Sequence, residues 1–286
     1  MNANFAIRYR SAFLAVLVLA QSATFALAQV SSTEKQTKTK GLNCLFMGHS
    51  FFAPVAKSFG EHAVRAGFTE HRQIVKFAGG ANGTPGRFWK ALPEDDVVKT
   101  AIKKGTVDLI GLTFHPDAGS KLEDYKSWID FALEHNPKTM FFIMAPWPRY
   151  LGRSIKEYAP IFDKFHNILH GYIDELRKSY PSTTIFCIPQ GKGMVRLYEI
   201  SSAGMLPEIP AVMKPNKQSK EPALFRDRLG HGDKMPIVLG QLIWLESIYQ
   251  VDVRKYAWDT GHKADLKTLA HEIVKNDPHS QIKTKR

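Results

Sequence analysis

Residues 42–52 read LNCLFMGHSFF, an apolar run that ends in Gly-His-Ser. The run predicts a buried β-strand over residues 42–47, because strands covered on both faces are apolar almost throughout. Residues 54–66 predict a helix, since their apolar side chains recur at helical spacing. The stretch therefore predicts the first strand–helix unit of an α/β domain, with Ser50 in the turn between the two elements.

The alternation of apolar runs and helical patterns continues along the chain. We expect further strands at residues 73–77, 107–113, 139–144 and 184–188, and further helices at 95–104, 122–135, 155–178 and 236–250. Strands that are each separated by a helix favour a parallel sheet with helices on both faces. The pattern predicts one doubly wound, flavodoxin-like α/β domain with a five-stranded parallel sheet over residues 41–280. The irregular stretch 205–225 is expected to be a solvent loop or a flap over a site.

The N-terminus has the three parts of a secretory signal. Arg8 and Arg10 precede an unbroken apolar run at residues 12–20, and Ala26-Leu27-Ala28 supplies small residues for cleavage. The apolar run is shorter than the roughly 20 residues that span a bilayer. We expect a signal peptide over residues 1–28, cleaved after Ala28, and a periplasmic or secreted protein without stable membrane insertion.

The ends of the mature chain are polar. Residues 29–40 predict a flexible linker, and residues 281–286 predict a basic tail. The formal net charge is +12, but the lysines are scattered and no arginine–aromatic pattern indicates a nucleic-acid partner. A soluble basic surface is the simpler interpretation, and a preference for anionic partners such as an acidic polysaccharide is the alternative.

Two cysteines, Cys44 and Cys187, lie inside apolar runs. Buried free thiols are the favoured interpretation, although an exported protein can also form a disulfide. Neither cysteine has metal-ligand spacing. The glycine-rich segment at residues 79–83 has neither the phosphate-loop pattern nor the G-x-G-x-x-G spacing of a dinucleotide site, so no cofactor and no metal are expected.

Polar residues follow the predicted strands at the edge where parallel sheets bind their ligands. Ser50 follows the first strand, and a helix N-terminus after it would suit a nucleophile that builds up an oxyanion. On position alone, Ser50 can instead be a helix cap. A serine needs a base to become a nucleophile, and His231, with Asp227 four residues before it, is the candidate. Gly80 or Asn82 in the second loop could supply hydrogen-bond donors.

Three segments resemble the sequence blocks of the SGNH (GDSL-type) hydrolases. They are LFMGHSFF, FAGGAN and FRDRLGH, in this order, and the resemblance covers about residues 42–251. It implies Ser50 as the nucleophile, His231 and Asp227 as its partners, and Gly80 as an oxyanion amide. Three features depart from the family pattern: Gly-His-Ser replaces Gly-Asp-Ser, three residues rather than two separate Asp227 from His231, and the third block lacks an asparagine. His115 or Asn82 would then have to supply the missing donor.

The resemblance and the export signal imply an exported serine esterase. Its expected substrate is an O-acyl ester, such as an acetyl ester, on a carbohydrate or envelope polymer, or another small ester. Trp147, with Arg149 and Tyr150, is either a sugar-stacking rim or part of the core. Two other functions stay open. One is an inactive glycan-binding protein of the same fold. The other is a metal-dependent hydrolase whose candidate ligands are His49, His115, His231, Asp117 and Asp227.

Overall fold

Five strands form one parallel sheet in the computed structural model, which describes residues 39–216 and 218–282. The strands are β1 (Asn43–Gly48), β2 (Arg72–Phe77), β3 (Leu109–Thr113), β4 (Met140–Met144) and β5 (Ile185–Ile188). Their order in the sheet is β2-β1-β3-β4-β5, with every pair parallel. The predicted doubly wound fold is confirmed. The strand order reverses between β1 and β3, and doubly wound sheets bind ligands in the crevice at such a point.

Eight helices accompany the strands in the described part of the chain. They are α1 (Ala53–Arg65), α2 (Pro85–Ala91), α3 (Val97–Lys103), α4 (Leu122–His135), α5 (Ile155–Ser179), α6 (Gln190–Ser202), α7 (Lys234–Tyr249) and α8 (Leu266–Asn276). The sequence pattern missed α2, α6 and α8. Two glycines near the start of α6 weaken its helical sequence pattern. Close packing requires a glycine at position 191, because a Cβ on Gly191 would lie 2.6 Å from the backbone of Pro146.

The sheet separates two apolar cores. On one face, Trp244 of α7 is fully buried and is surrounded by four phenylalanines with ring centroids 4.9–5.8 Å away: Phe46, Phe52, Phe59 and Phe142. The Trp244 indole N–H donates to Gln190 Oε1 at 2.6 Å, and Gln190 Nε2 donates to the Phe51 carbonyl at 2.9 Å. This buried chain of hydrogen bonds connects the core to the loop that carries Ser50.

Residues 205–225 include regular structure and buried side chains, but residues 215, 216 and 220–222 within this stretch are exposed. Two short strands, β6 (Ala211–Met213) and β7 (Ala223–Phe225), pair in parallel within this stretch. Leu206, Ile209 and the whole of β7 are buried. Because β7 runs directly into residues 226–231, it determines where Asp227 and His231 lie.

Cys44 and Cys187 are both buried and free, as expected, so the disulfide alternative is wrong.

The chain ends lie largely outside the described residues. These ends are the predicted signal peptide, most of the predicted linker and residues 283–286 of the predicted tail. None of the helices in residues 39–216 and 218–282 is both long enough and apolar enough to cross a membrane.

Candidate active site

Ser50 lies in the tight turn between β1 and α1. The backbone N–H groups of Phe52 and Ala53 both donate to the His49 carbonyl at 3.0 Å, which closes the turn. A Cβ on Gly48 would lie 2.4 Å from the Phe52 ring, so the residue at this position must be glycine for Phe52 to enter the core. The residue that caps α1 is Phe52, without a side-chain bond. The alternative that Ser50 is the helix cap is therefore wrong.

The Ser50 hydroxyl belongs to a chain of three side chains. Ser50 Oγ lies 2.9 Å from His231 Nε2, and His231 Nδ1 lies 2.7 Å from Asp227 Oδ2. The second Asp227 oxygen accepts the backbone N–H groups of Gly230 and His231 at 3.1 and 3.3 Å. With its Nδ1 hydrogen donated to the carboxylate, the neutral His231 ring presents the Nε2 lone pair to the Ser50 hydroxyl.

Asp227 is held as a carboxylate. Partial burial acts to raise its pKa, but the hydrogen bonds from the His231 ring, the His231 backbone and Gly230 outweigh that effect and lower the pKa below its usual value. An ionised Asp227 fixes the orientation and the tautomer of His231.

The three-residue spacing between Asp227 and His231 is accommodated by a closed turn. The Arg226 N–H donates to the His231 carbonyl at 2.7 Å, and Gly230 takes a left-handed φ of +96°. The Trp147 indole N–H donates to the Gly230 carbonyl at 2.7 Å and so anchors the turn to the loop after β4. Trp147 is only 2% exposed. It is part of the core, and the prediction of a sugar-stacking rim is wrong for this side chain.

The backbone N–H groups of Ser50 and Gly80 are available for a ligand. Neither of them donates a hydrogen bond among residues 39–216 and 218–282. Gly80 has a left-handed φ of +53° and begins a short 3₁₀ turn, Gly80–Gly83, after β2. Both residues line the same cavity of about 590 Å³. Free backbone amides beside a hydroxyl are the donors that a developing oxyanion requires.

His115 lines this cavity too, beyond the end of β3. Its Nδ1 accepts the Ala118 N–H at 3.2 Å, so the hydrogen of the neutral ring is on Nε2. Burial is the main cause that lowers the pKa of His115. The positive charge of Arg149 also lowers this pKa, whereas the negative charge of Asp117 raises it. The ring is thus a neutral N–H donor beside the cavity that Ser50 and Gly80 line.

His49, next to Ser50, supports the site from beneath. It is buried, its Nδ1 accepts the Phe51 N–H at 3.2 Å, and its Nε2 donates to the Phe114 carbonyl at 3.2 Å. Burial, aided by the neighbouring His115, lowers the pKa of His49 to about 3. Its ring connects the ends of β1 and β3 and is neutral at physiological pH.

Asn82 is not brought to this site. It is exposed and lines a different depression, together with Phe77, Arg87 and Lys90.

The candidate metal ligands near Ser50 already have other partners. Backbone groups bond both His49 nitrogens, and Ser50 and Asp227 bond those of His231. Asp117 is paired with Arg149 at 3.0 Å.

A second cavity, of about 470 Å³, is also lined by Ser50 and His231. Three cationic side chains line it, Lys57 from α1, Lys214 after β6 and Arg226 after β7. Asp233 pairs with Lys214 at 3.2 Å, whereas Lys57 lies over the Phe77 ring, 5.4 Å from its centroid. These three residues were not predicted from the sequence, because they come from separate elements and have no common spacing.

Comparisons with known proteins place the fold among solved structures. No protein-family model matches the sequence, and no curated protein does. A DUF4886 family protein from Bacteroides uniformis has 14% identity and a TM-score of 0.53, over 83% of this chain and 96% of its own. A variant of Axe2, an acetyl xylan esterase from Geobacillus stearothermophilus, has 14% identity and a TM-score of 0.42, over 74% of this chain and 94% of its own. The first likeness shows a shared fold, and the second is too distant to support an argument.

Proposed function

We propose that this protein is a serine esterase of the SGNH type, with Ser50 as nucleophile, His231 as general base and Asp227 as the residue that orients the base. The observation that carries the proposal is the continuous Ser50–His231–Asp227 chain, with separations of 2.9 and 2.7 Å. Both distances are within the range of about 2.6–3.2 Å in which a base can activate a serine. An unreactive polar cluster would not need free backbone amides and an open cavity beside its hydroxyl.

The proposed reaction proceeds through an acyl-enzyme. His231 Nε2 takes the Ser50 proton while Oγ attacks the ester carbonyl carbon, and the carbonyl oxygen becomes an oxyanion. When the oxyanion collapses, the bond to the alcohol breaks and His231 returns the proton to the leaving oxygen. Water then attacks the acyl-enzyme by the same sequence, with His231 again as base, and releases the acid and free Ser50. Asp227, as a carboxylate, stabilises the imidazolium in both halves.

Three donors are proposed for the oxyanion. The Ser50 and Gly80 backbone N–H groups are free of other partners within the described residues, and the His115 Nε2–H takes the place of the asparagine side chain. A neutral ring suits this role, because it donates a hydrogen bond without placing a second positive charge near the His231 imidazolium. Asn82 is not part of the proposed oxyanion hole.

The proposed substrate is an O-acyl ester on a carbohydrate, encountered after export of the chain. The cationic cavity supports an ester whose polymer also carries negative charge, such as an acylated acidic carbohydrate, because Lys57 and Arg226 would face its anionic group. This interpretation favours the anionic partner that the net charge of the sequence left as an alternative.

The test compares hydrolysis of p-nitrophenyl acetate and of acetylated neutral and acidic oligosaccharides, by the wild-type protein and by Ser50→Ala, with and without EDTA. We expect turnover that Ser50→Ala abolishes and that EDTA leaves unchanged. Loss of turnover in EDTA with retention in Ser50→Ala would support the metal-dependent alternative. Oligosaccharide binding by a folded protein without turnover would support the glycan-binding alternative. Either result would refute the proposal.

A further inference from the structure

A cluster of metal-ligating side chains lies far from Ser50, at the β5 edge of the sheet. The cluster consists of His166 and His170 on α5, Cys187 on β5 and Asp277 after α8. Each offers one ligand atom, and these atoms all lie within 4.8 Å of one another. His166 Nε2 and His170 Nε2 approach the same Asp277 oxygen, at 2.8 and 3.2 Å. Since β5 stands three strands from β1, the cluster is about 14 Å from the Ser50 strand at ordinary strand spacing.

The four residues are more deeply buried than the residues of a solvated surface cluster. Cys187 is fully buried and Asp277 is 6% exposed, while the side chains of His166 and His170 are 13% and 16% exposed. A cavity of about 390 Å³, lined by His166, His170 and Asp277, opens to them and provides an entry path.

One nitrogen atom in the cluster and one beside it are buried without a hydrogen-bond partner among the described residues. These atoms are Nδ1 of His166 and Nδ1 of His279. His279 stacks on His170, with ring centroids 4.0 Å apart. Buried polar atoms are almost always paired in native proteins, so the surroundings of these two rings are unusual, but an ion held by His166 Nε2 would leave the Nδ1 atom in the same state.

The Asp277 carboxylate is already held as a metal ligand would be. Its Oδ1 accepts the backbone N–H groups of His279 and Ser280 at 2.9 and 3.0 Å, which leaves Oδ2 directed at the two histidines. Outer hydrogen bonds of this kind orient the ligands of metal sites.

We propose that His166, His170, Cys187 and Asp277 form a structural site for one zinc ion. Two imidazoles, one thiolate and one carboxylate are the ligand types of tetrahedral zinc, and four protein ligands make a closed, non-catalytic site. The charges also balance, because a thiolate and a carboxylate neutralise Zn²⁺ while both histidines are neutral. Binding converts the Cys187 thiol to a thiolate and releases its proton to solvent.

The geometry requires a small rearrangement. Bonds of about 2.0–2.3 Å at tetrahedral angles place ligand atoms roughly 3.3–3.8 Å apart. The two imidazole–Asp277 pairs, now 2.8 and 3.2 Å apart, must open slightly, and pairs at up to 4.8 Å must close by about 1 Å. The ion would join α5, β5 and the segment after α8, and so fix the C-terminal part of the domain to the edge of the sheet.

The test uses the purified full chain, stripped of metal with a chelator and then titrated with Zn²⁺ or Co²⁺. We expect one tightly bound ion per chain, a rise in the thermal midpoint with zinc, and a thiolate-to-cobalt charge-transfer band in the near ultraviolet. Cys187→Ser should abolish this band, whereas Cys44→Ser, which changes the other buried thiol, should retain it.

Histidine variants test the remaining ligands. His170→Ala should weaken zinc binding by more than the roughly 10- to 100-fold that loss of an outer partner costs. His271→Gln is the matched control, because His271 is similarly buried and bonds a carboxylate, Glu246, elsewhere in the fold. The cobalt spectrum of the wild-type protein tests the site even if a variant fails to fold. Absence of the charge-transfer band, or a band that survives Cys187→Ser, would overturn the proposal and leave a hydrogen-bonded cluster that contributes to stability alone.

Discussion

Replacement of His115 by alanine tests the most unusual part of the proposed site. The ring would supply one of three oxyanion donors, and loss of one such donor lowers kcat by about 10²- to 10³-fold, or roughly 3–4 kcal/mol in the barrier. The KM for a small ester should change little, because the donor acts mainly on the oxyanion. The variant also loses the bond from the Ala118 N–H, which costs about 1 kcal/mol of stability.

The assay measures kcat and KM for p-nitrophenyl acetate and, separately, the free energy of unfolding in urea. His115→Asn is the decisive second variant, since an asparagine amide restores a neutral N–H donor and should recover much of the lost kcat. His135→Ala is the control, because His135 lies at the end of α4 and not at the site. A His115→Ala enzyme with unchanged kcat, or a His115→Asn enzyme no better than the alanine variant, would refute the oxyanion role.

Four further results are expected. Asp227→Asn should lower kcat by about 10⁴-fold, because His231 loses the partner that fixes its tautomer. The folded protein should lose about 2 kcal/mol of stability between pH 7 and pH 5 from His49 alone, because the unfolded ring, with a pKa near 6.5, takes up a proton that the folded ring, with a pKa of about 3, excludes. Arg226→Ala should raise the KM for acidic oligosaccharide esters by about 10-fold, equivalent to roughly 1.4 kcal/mol, and high salt should have a similar effect. Trp244→Ala should cost about 3–5 kcal/mol of stability because it leaves a cavity among buried rings.

Two of these results have a comparison variant, and the other two have a result that would contradict them. Urea unfolding of His49→Gln at both pH values should show a smaller loss, and an identical loss would contradict the assignment to His49. Lys90→Ala removes a cation from a different depression and should leave KM unchanged. An Asp227→Asn enzyme with near-normal kcat, or a Trp244→Ala protein with normal urea stability, would contradict the roles given to these residues.

The sheet was predictable because four of its five strands, all except the edge strand β2, are almost wholly buried and therefore apolar throughout. The run at residues 42–47 has the composition of a covered strand, and β1 lies within one residue of that range. The pattern of α8 was also available, since its buried residues Leu266, Ala270, Ile273 and Val274 recur at helical spacing. In contrast, β6 and β7 have three residues each and are too short to show a period.

The site was predictable only where a local motif coincided with the edge of the sheet. Ser50, Asp227 and His231 met this condition, and the structure brings them within hydrogen-bond distance. Lys57 and Arg226 did not, because their proximity depends on how α1 and β7 pack. The four-residue spacing of His166 and His170 on α5 was the available signal for the zinc cluster, but Cys187 and Asp277 join it only through the tertiary fold.

The most direct measurement of the central claim is covalent labelling of the folded protein with a fluorophosphonate, followed by mass mapping of the digested chain. Ser50 Oγ attacks phosphorus, fluoride leaves, and the proton goes to His231. The account predicts one label per chain, on the peptide that contains Ser50, with no labelling of Ser50→Ala and much slower labelling of His231→Ala. A label on another residue, or no label on a folded wild-type protein, would contradict it.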